Sequence, residues 1–206
     1  MIFDNLNYVV LTVIESNLLN CFNSLSQFVN EEGNHNYNIL QQKLDFGKIY
    51  INEPPSGGAH FCKFLIWEPK NLFGKTAFFS NYQDGKYTLI FNLCRKYKLE
   101  AISVNFSNKK HAEYPAFMFM YFNYRNDRPI ERTIYLIKDE NKWVFFENGE
   151  IQPFEDTSIY ESRLKTKRFN KEILLSYLLK RGIDIENEQF WQSTNGNAFY
   201  FNQISW

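Results

Sequence analysis

The sequence has few cysteines, glycines and prolines. Its 206 residues include three cysteines, nine glycines and six prolines. Cys21, Cys62 and Cys94 are odd in number and widely spaced. This spacing argues against a disulfide framework and favours buried free thiols in a reducing compartment. There is no internal repeat, low-complexity tract or Gly/Ser linker, so nothing marks an extended or repetitive architecture.

The chain also has no excess of charge and no long apolar run. Its 23 basic and 23 acidic residues give a formal net charge of zero, so bulk charge predicts neither nucleic acid nor an anionic membrane as partner. The apolar run over 8–14 is too short for a membrane span or a signal peptide, and no basic region precedes it. We therefore expect a cytoplasmic protein with no membrane partner.

Motifs for catalysis, metal and phosphate are equally scarce. His35, His60 and His111 are not at ligand spacing with one another or with the cysteines, so we expect no metal and no cofactor. Gly57 and Gly58 lack the spacing of a phosphate-binding loop.

One pair of residues could still support nucleophilic catalysis. His60 and Cys62 would face the same side of a strand, as a base and a nucleophile do. The sequence identifies no third group to orient them. The pattern favours a buried thiol beside a strand-end histidine, and we expect no catalytic residues.

Aromatic residues are abundant, with 21 phenylalanines and 13 tyrosines, and they concentrate in a stretch over 114–150. That stretch predicts three antiparallel strands joined by polar turns near 125–129 and 139–141. Residues 117–124 are apolar on both alternating faces, which predicts a central strand covered on both sides. Over 130–138 the pattern alternates, and Ile130, Arg132, Ile134 and Leu136 share one face.

The order of predicted elements indicates an α+β fold. The first half has the order β-α-β-β-α-β, which is the ferredoxin-like arrangement. The predicted segments of this half are strand 8–14, helix 18–29, strand 47–51, strand 60–67, helix 84–98 and strand 101–106. Residues 39–44 are ambiguous and could form a helical turn, and 71–80 are also ambiguous. The aromatic meander, a helix over 170–182 and a last strand over 198–201 follow. We expect a single domain over 1–206, with possible lobes at 1–107 and 114–206.

Two charged clusters follow the meander. Glu147, Glu150, Glu155 and Asp156 form an acidic group that predicts a surface suited to a basic partner, and paired carboxylates could also act as acid and base. A basic run with interleaved aromatics could hold single-stranded nucleic acid. Its cations are Arg163, Lys165, Lys167, Arg168 and Lys171. Acidic neighbours would cancel much of its field, so a solvated, salt-bridged face is the favoured interpretation.

The segment KWVFFENG over 142–149 is followed by PFE over 153–155, then Tyr160, Arg163 and RFN over 168–170 before a helix. This pattern over 142–183 resembles bacterial immunity proteins of polymorphic-toxin systems. The resemblance implies a small cytoplasmic protein that binds and blocks one cognate toxin domain, without an active site of its own. Immunity proteins against nucleases are commonly acidic, and this neutral chain argues against a strongly basic nuclease as its target.

We therefore predict a non-enzymatic toxin inhibitor. Aromatic residues and arginine supply binding hot spots, and charged rims supply association rate and specificity. The predicted partner-binding residues are Glu147, Glu150, Glu155, Asp156, Tyr160 and Arg163. Two alternatives stay open at this point. One is an enzyme with a cleft between the two halves, and the other is a nucleic-acid-binding module using the basic run.

Overall fold

The computed structural model describes residues 2–31, 36–49, 60–109 and 115–204, which fold as one nine-stranded antiparallel sheet with helices on both faces. Its strands are β1 (Tyr8–Ile14), β2 (Tyr37–Lys43), β3 (Lys63–Trp67), β4 (Thr76–Ser80), β5 (Ala101–Ser107), β6 (Ala116–Arg125), β7 (Arg128–Asp139), β8 (Lys142–Gly149) and β9 (Asn197–Gln203). Its α-helices are α1 (Ile2–Asn5), α2 (Leu18–Glu31), α3 (Tyr87–Tyr97), α4 (Lys165–Arg168) and α5 (Lys171–Lys180). Short 3₁₀-helices occupy Phe46–Lys48, Thr157–Glu161 and Glu188–Trp191.

The strands follow one another across the sheet in the order β2-β9-β3-β4-β1-β5-β6-β7-β8. Neighbours in β6, β7 and β8 are joined by tight turns, so this end of the sheet is a local meander. At the other end, β9 lies between β2 and β3, and its partners are far away in the sequence. Sheet contacts therefore join early and late parts of the chain.

Alternation along the strands divides the apolar side chains between two cores. In β3, Leu65 and Trp67 belong to one core, which also contains residues of α5; we call this side of the sheet the α5 face. Phe64 and Ile66 belong to the other core with residues of α2 and α3, and this side is the α2/α3 face. The central strands are apolar on both faces because both faces are covered.

The helices bury one side each. In α2, Leu18, Cys21, Leu25, Phe28 and Val29 recur at helical spacing and are buried. The helix α5 begins after Asn170, whose side-chain oxygen accepts a hydrogen bond from the backbone N–H of Ile173 at 3.0 Å.

The segment between β8 and β9 crosses the α5 face and fills it with aromatic side chains. Phe154 packs against Phe119 and Tyr177, with ring centroids 5.6 and 5.9 Å away. Farther along, the indole N–H of Trp67 donates to the carbonyl of Phe190 at 2.9 Å. Aromatic packing and indole hydrogen bonds thus hold this segment on the sheet.

The mixed α+β class is confirmed, and so are the meander, the strands at 8–14 and 101–106 and the helix following Asn170. One ambiguity is resolved and one prediction is wrong. Residues 39–44 lie mainly in β2 rather than in a helical turn, and Phe46–Lys48 is a 3₁₀-helix where a strand was expected. The Gly57-Gly58 turn and most of the suggested break near 107–113 lie outside the described residues. The division into lobes stays a prediction. No helix within the described ranges is long and apolar enough to cross a membrane.

Candidate partner-binding surface

The α2/α3 face of the meander carries apolar side chains that no helix of the described residues covers. Register places Met118, Tyr135 and Phe146 in one row across β6, β7 and β8. Ala116, Ile137 and Val144 form the next row. Tyr135 and Phe146 stack with ring centroids 4.9 Å apart. We call these six residues the open face.

The open face is only partly exposed, and of its six residues Met118 packs against the core of the α2/α3 face. Phe146 is 41% exposed, and the other five residues are of intermediate exposure. By contrast, Phe122 on the same side of β6 is only 4% exposed, because Tyr87 and Phe91 of α3 pack against it. The prediction that β6 is covered on both sides therefore fails at Met118, since α3 packs at the opposite end of the strand.

Polar groups border the open face. Thr133 and Asn148 form the row beyond Tyr135 and Phe146, and Asp139 and Lys142 lie beyond Ile137 and Val144. Beside Met118, the Asn105 side chain donates to the Gln83 carbonyl at 2.6 Å. From strand and row spacings, the two apolar rows cover roughly 200 Å². This is an apolar centre with a polar border, as in many protein interfaces.

The opposite face of the same strands holds a buried charge. The Arg132 side chain is wholly buried in β7, among the apolar residues whose face it was predicted to share. Its Nε and Nη2 donate to the two oxygens of the equally buried Glu155 at 2.9 and 2.8 Å. Its Nη1 pairs with Glu147. Burial disfavours the charged guanidinium, but the bonds to Glu155 and Glu147 outweigh this effect and raise the pKa of Arg132.

Every oxygen of Glu155 is satisfied by a donor. The backbone N–H of Gln152 donates to Oε1 at 2.8 Å, and the Tyr160 hydroxyl donates to Oε2 at 2.9 Å. The Tyr160 hydroxyl also lies 2.9 Å from that of Tyr177 in α5. Burial and the hydrogen bond with Tyr177 raise the pKa of Tyr160. This network ties the segment after β8 to the sheet, and buried polar groups persist only when satisfied in this way.

The predicted partner-binding residues separate into two groups. Glu147, Glu155 and Tyr160 converge on Arg132, and the Glu155 carboxylate is inaccessible to a partner in this conformation. The other three are at the surface. Glu150 pairs with Arg125 at 3.1 Å and Asp156 caps a 3₁₀-helix by accepting from the backbone N–H of Ser158. Arg163 is exposed. Partner contact through these surface residues stays a prediction.

The suggested nucleophile does not have the surroundings of a reactive thiol. Cys62 is buried, and burial raises the pKa of its thiol from 9.0 to about 11, so it is protonated at neutral pH. The His60 ring stacks on Tyr82, with centroids 4.2 Å apart. Within the described residues no three His, Cys, Asp or Glu side chains are placed to hold a metal ion, while His35 and His111 lie outside them.

Three depressions bear on the enzyme alternative. One of about 550 Å³ is lined by residues including Arg125, Arg128 and Glu150, and one of about 490 Å³ by residues including Arg125, Lys180 and Arg181. Every residue lining these two belongs to the second half of the chain. The third depression, between α3 and the meander, has about 10 Å³, which is room for a single water at most. None of these three forms a substrate-sized cleft between the predicted halves.

Sequence reasoning missed the two most distinctive features of this region. The signal for the buried network was present, because an arginine among Ile130, Ile134 and Leu136 places a charge inside a core, where it needs a carboxylate. The open face was also signalled by Tyr135 and Ile137 on the other side of β7. Nothing in the sequence showed that the helices end short of them.

Comparison of the chain with protein-family models, curated proteins and solved structures gave no match.

Proposed function

We propose that this chain is a non-enzymatic, cytoplasmic immunity protein that binds a cognate bacterial toxin domain and occludes its active site. The open face is the observation that carries the proposal. It offers Met118, Tyr135 and Phe146 on a rigid sheet, and Met, Tyr and Phe are enriched at the centres of protein interfaces.

A sheet platform suits stoichiometric inhibition. Its backbone is fixed by ladders on β5, β6, β7 and β8, so binding orders few groups and loses little conformational entropy. The roughly 200 Å² of apolar rows is less than the ~800 Å² that each partner buries in a standard interface. The polar border, with Asn148 and Lys142, would supply part of the remaining contact.

The choice of a toxin domain as the partner rests on the resemblance over 142–183. That stretch includes β8, whose Val144 and Phe146 belong to the open face. The zero net charge fits a toxin that is not strongly basic, because electrostatic steering toward such a toxin would need an acidic inhibitor.

We also propose that part of the sheet is a ferredoxin-like unit. The order β5-β1-β4-β3, with α2 and α3 on one face, supports this interpretation of β1, α2, β3, β4, α3 and β5. In this interpretation β2 is an insertion between α2 and β3, and the two middle strands are β3 and β4 rather than the predicted strands 47–51 and 60–67.

The function is tested by isolating the partner and then substituting residues of the open face. Immobilised protein is used to capture partners from a lysate of its own organism, and a recovered toxin domain is co-expressed with it. Wild-type protein should bind the toxin one to one and abolish its toxicity. The double variant Tyr135→Ala with Phe146→Ala should lose both effects. Phe73→Ala is the matched control, because Phe73 is 85% exposed in the β3–β4 turn, away from the open face.

Two results would reject the proposal. One is toxin neutralisation that survives loss of Tyr135 and Phe146. The other is a protein that shows catalytic turnover of a substrate and binds no toxin.

A further inference from the structure

Among the described residues, strand β8 is the last of the sheet, so one of its edges has no neighbouring strand there. The Lys138 N–H bonds to Pro115 on the β6 side, whereas the Glu131 carbonyl accepts from Glu150 on the β8 side. Backbone groups of alternate residues point to opposite neighbours in an antiparallel sheet. The register with β7 then directs the backbone N–H and C=O groups of four β8 residues toward β7. These residues are Lys142, Val144, Phe146 and Asn148. The backbone N–H and C=O groups of Trp143, Phe145 and Glu147 therefore point outward.

This edge has few of the features that normally block strand addition. Between Lys142 and Asn148 it carries no proline, and its regular pairing with β7 shows no bulge. The strand ends at Gly149, whose φ is +94°. A Cβ at this position would lie 2.0 Å from the Glu131 carbonyl oxygen. An unprotected regular edge of this kind is a template for another strand.

The two sides of the edge differ in chemistry. On one side, Val144 and Phe146 continue the open face. On the other side, α4 packs against β8, and the Arg168 guanidinium lies 5.6 Å from the centre of the Phe145 ring. Around α4, Arg163, Lys165 and Lys167 are exposed. Within the described part of the chain, none of these three has a carboxylate within 4.0 Å.

Charge argues against a second copy of this chain as the occupant. Antiparallel pairing of two β8 edges that uses all three outward residues would place Phe145 opposite its own counterpart. Because α4 packs beside Phe145, the pairing would bring together two α4 helices with their unpaired cations. Like charges so juxtaposed oppose association. An acidic segment would be attracted instead.

We propose that the β8 edge, at Trp143–Glu147, binds an extended segment of the partner in which apolar and acidic side chains alternate. Its backbone would pair with the outward groups of Trp143, Phe145 and Glu147. Its apolar side chains would extend the open face, and its acidic side chains would meet Arg163, Lys165 and Lys167. This inference rests on the proposed function, since it names the part of the protein partner that is recognised.

The test uses the full chain and acetylated, amidated heptapeptides. One peptide alternates valine and glutamate, one alternates valine and lysine, and one has the valine–glutamate composition in blocked order. A fourth carries N-methyl groups on every second residue of the alternating acidic peptide, on the edge that would face β8. Binding is followed by NMR, together with hydrogen exchange of the Trp143, Phe145 and Glu147 amides.

We expect the alternating acidic peptide to bind and to slow exchange of those three amides. The lysine, blocked and N-methylated peptides should bind at least about tenfold more weakly, because each removes charge complementarity, alternation or backbone pairing. The double variant Lys165→Glu with Lys167→Glu should reverse the preference toward the lysine peptide. The charge-matched control Lys43→Glu with Lys63→Glu, on β2 and β3, should leave it unchanged.

Several outcomes would overturn the inference. These are equal binding of all peptides, unchanged exchange of the three amides, a concentration-dependent dimer through β8, or single-stranded nucleic acid displacing the peptide from α4. A toxin domain that still binds through Tyr135 and Phe146 while no peptide binds would reject this inference alone. A wild-type protein that binds no toxin domain at all would reject the proposed function.

Discussion

The two faces of the meander are built from the same three strands, yet one is sealed and the other is open. On the α5 face, β7 buries Ile130, Arg132, Ile134 and Leu136 under the segment that follows β8. On the α2/α3 face, Tyr135 and Ile137 are only half-buried. The alternating pattern is similar on both sides. What differs is whether the chain returns to cover the face, and on the sealed face a salt bridge holds that cover in place.

The largest expected effect comes from breaking the salt bridge of the sealed face. Glu155→Leu leaves the wholly buried Arg132 without its bidentate partner, so we expect a loss of about 3–5 kcal/mol in the free energy of unfolding. Urea denaturation measures it. The double variant Arg132→Met with Glu155→Leu should recover much of this loss, because it leaves no buried unpaired charge. If Glu155→Leu is as stable as the wild type, the network does not hold the cover.

The open face should behave in the opposite way, with binding affected more than folding. Tyr135→Ala with Phe146→Ala should weaken binding of the proposed toxin partner by at least about 2 kcal/mol, which is the scale of interface hot spots. Calorimetric titration against the toxin domain measures it. The same variant should lose less free energy of unfolding than Glu155→Leu, since both side chains are already partly in water. The reverse order would mean that the open face is structural.

The helix-covered part of the α2/α3 face should make the free energy of unfolding depend on pH in the alkaline range, and the open part should not. Cys21 and Cys94 lie in the covered part, and burial raises the pKa of each thiol from 9.0 to about 12. Well below pH 9 both thiols are protonated in the folded and unfolded states, so they contribute no pH dependence there. Between pH 9 and about 12 only the unfolded state releases these protons. Each thiol should then lower the free energy of unfolding by up to about 1.4 kcal/mol per pH unit.

Urea denaturation across this pH range tests the expectation through slopes. Cys94→Ala should reduce the alkaline decline even if the smaller side chain lowers stability at every pH. Phe146→Ala, on the open part and at a side chain that does not titrate, should leave the slope unchanged. An unaltered slope in Cys94→Ala would show that its thiol ionises as easily in the folded protein as in the unfolded chain.

The smallest expected effect is the difference in stability loss between variants of the two carboxylates that pair with Arg132. The Glu147 side chain is 41% exposed, whereas that of Glu155 is wholly buried. Glu147→Gln should cost less than about 1 kcal/mol, because solvent screens its pairing. Glu155→Gln, measured in the same urea titration, should cost clearly more. Equal costs would show that burial does not distinguish them.

Local patterns predicted much of this fold, and pairings between distant segments were not predictable. The turns at 125–129 and 139–141 and the alternation in β7 lie within one stretch, so the meander could be recognised. By contrast, the sequence of β2 is ambiguous between a helical turn and a strand, because the strand that pairs with it, β9, lies more than 150 residues later. The partner of Arg132 was equally unpredictable, since Glu155 is brought to it by a loop. The candidate site was missed because exposure depends on where α3 ends, which no pattern in the strands encodes.

The position of β9 has a consequence for how the protein folds. The meander β6-β7-β8 closes only short turns, so it can form rapidly, but β2 pairs with no strand other than β9 among the described strands. Closing so long a loop costs entropy, and non-local pairing slows folding. During synthesis, β2 therefore cannot pair until residues 197–203 have left the ribosome. Until then the edge of β3 that will bind β9 is also unpaired. Pairing of β9 with β2 and β3 is thus the step that completes the sheet.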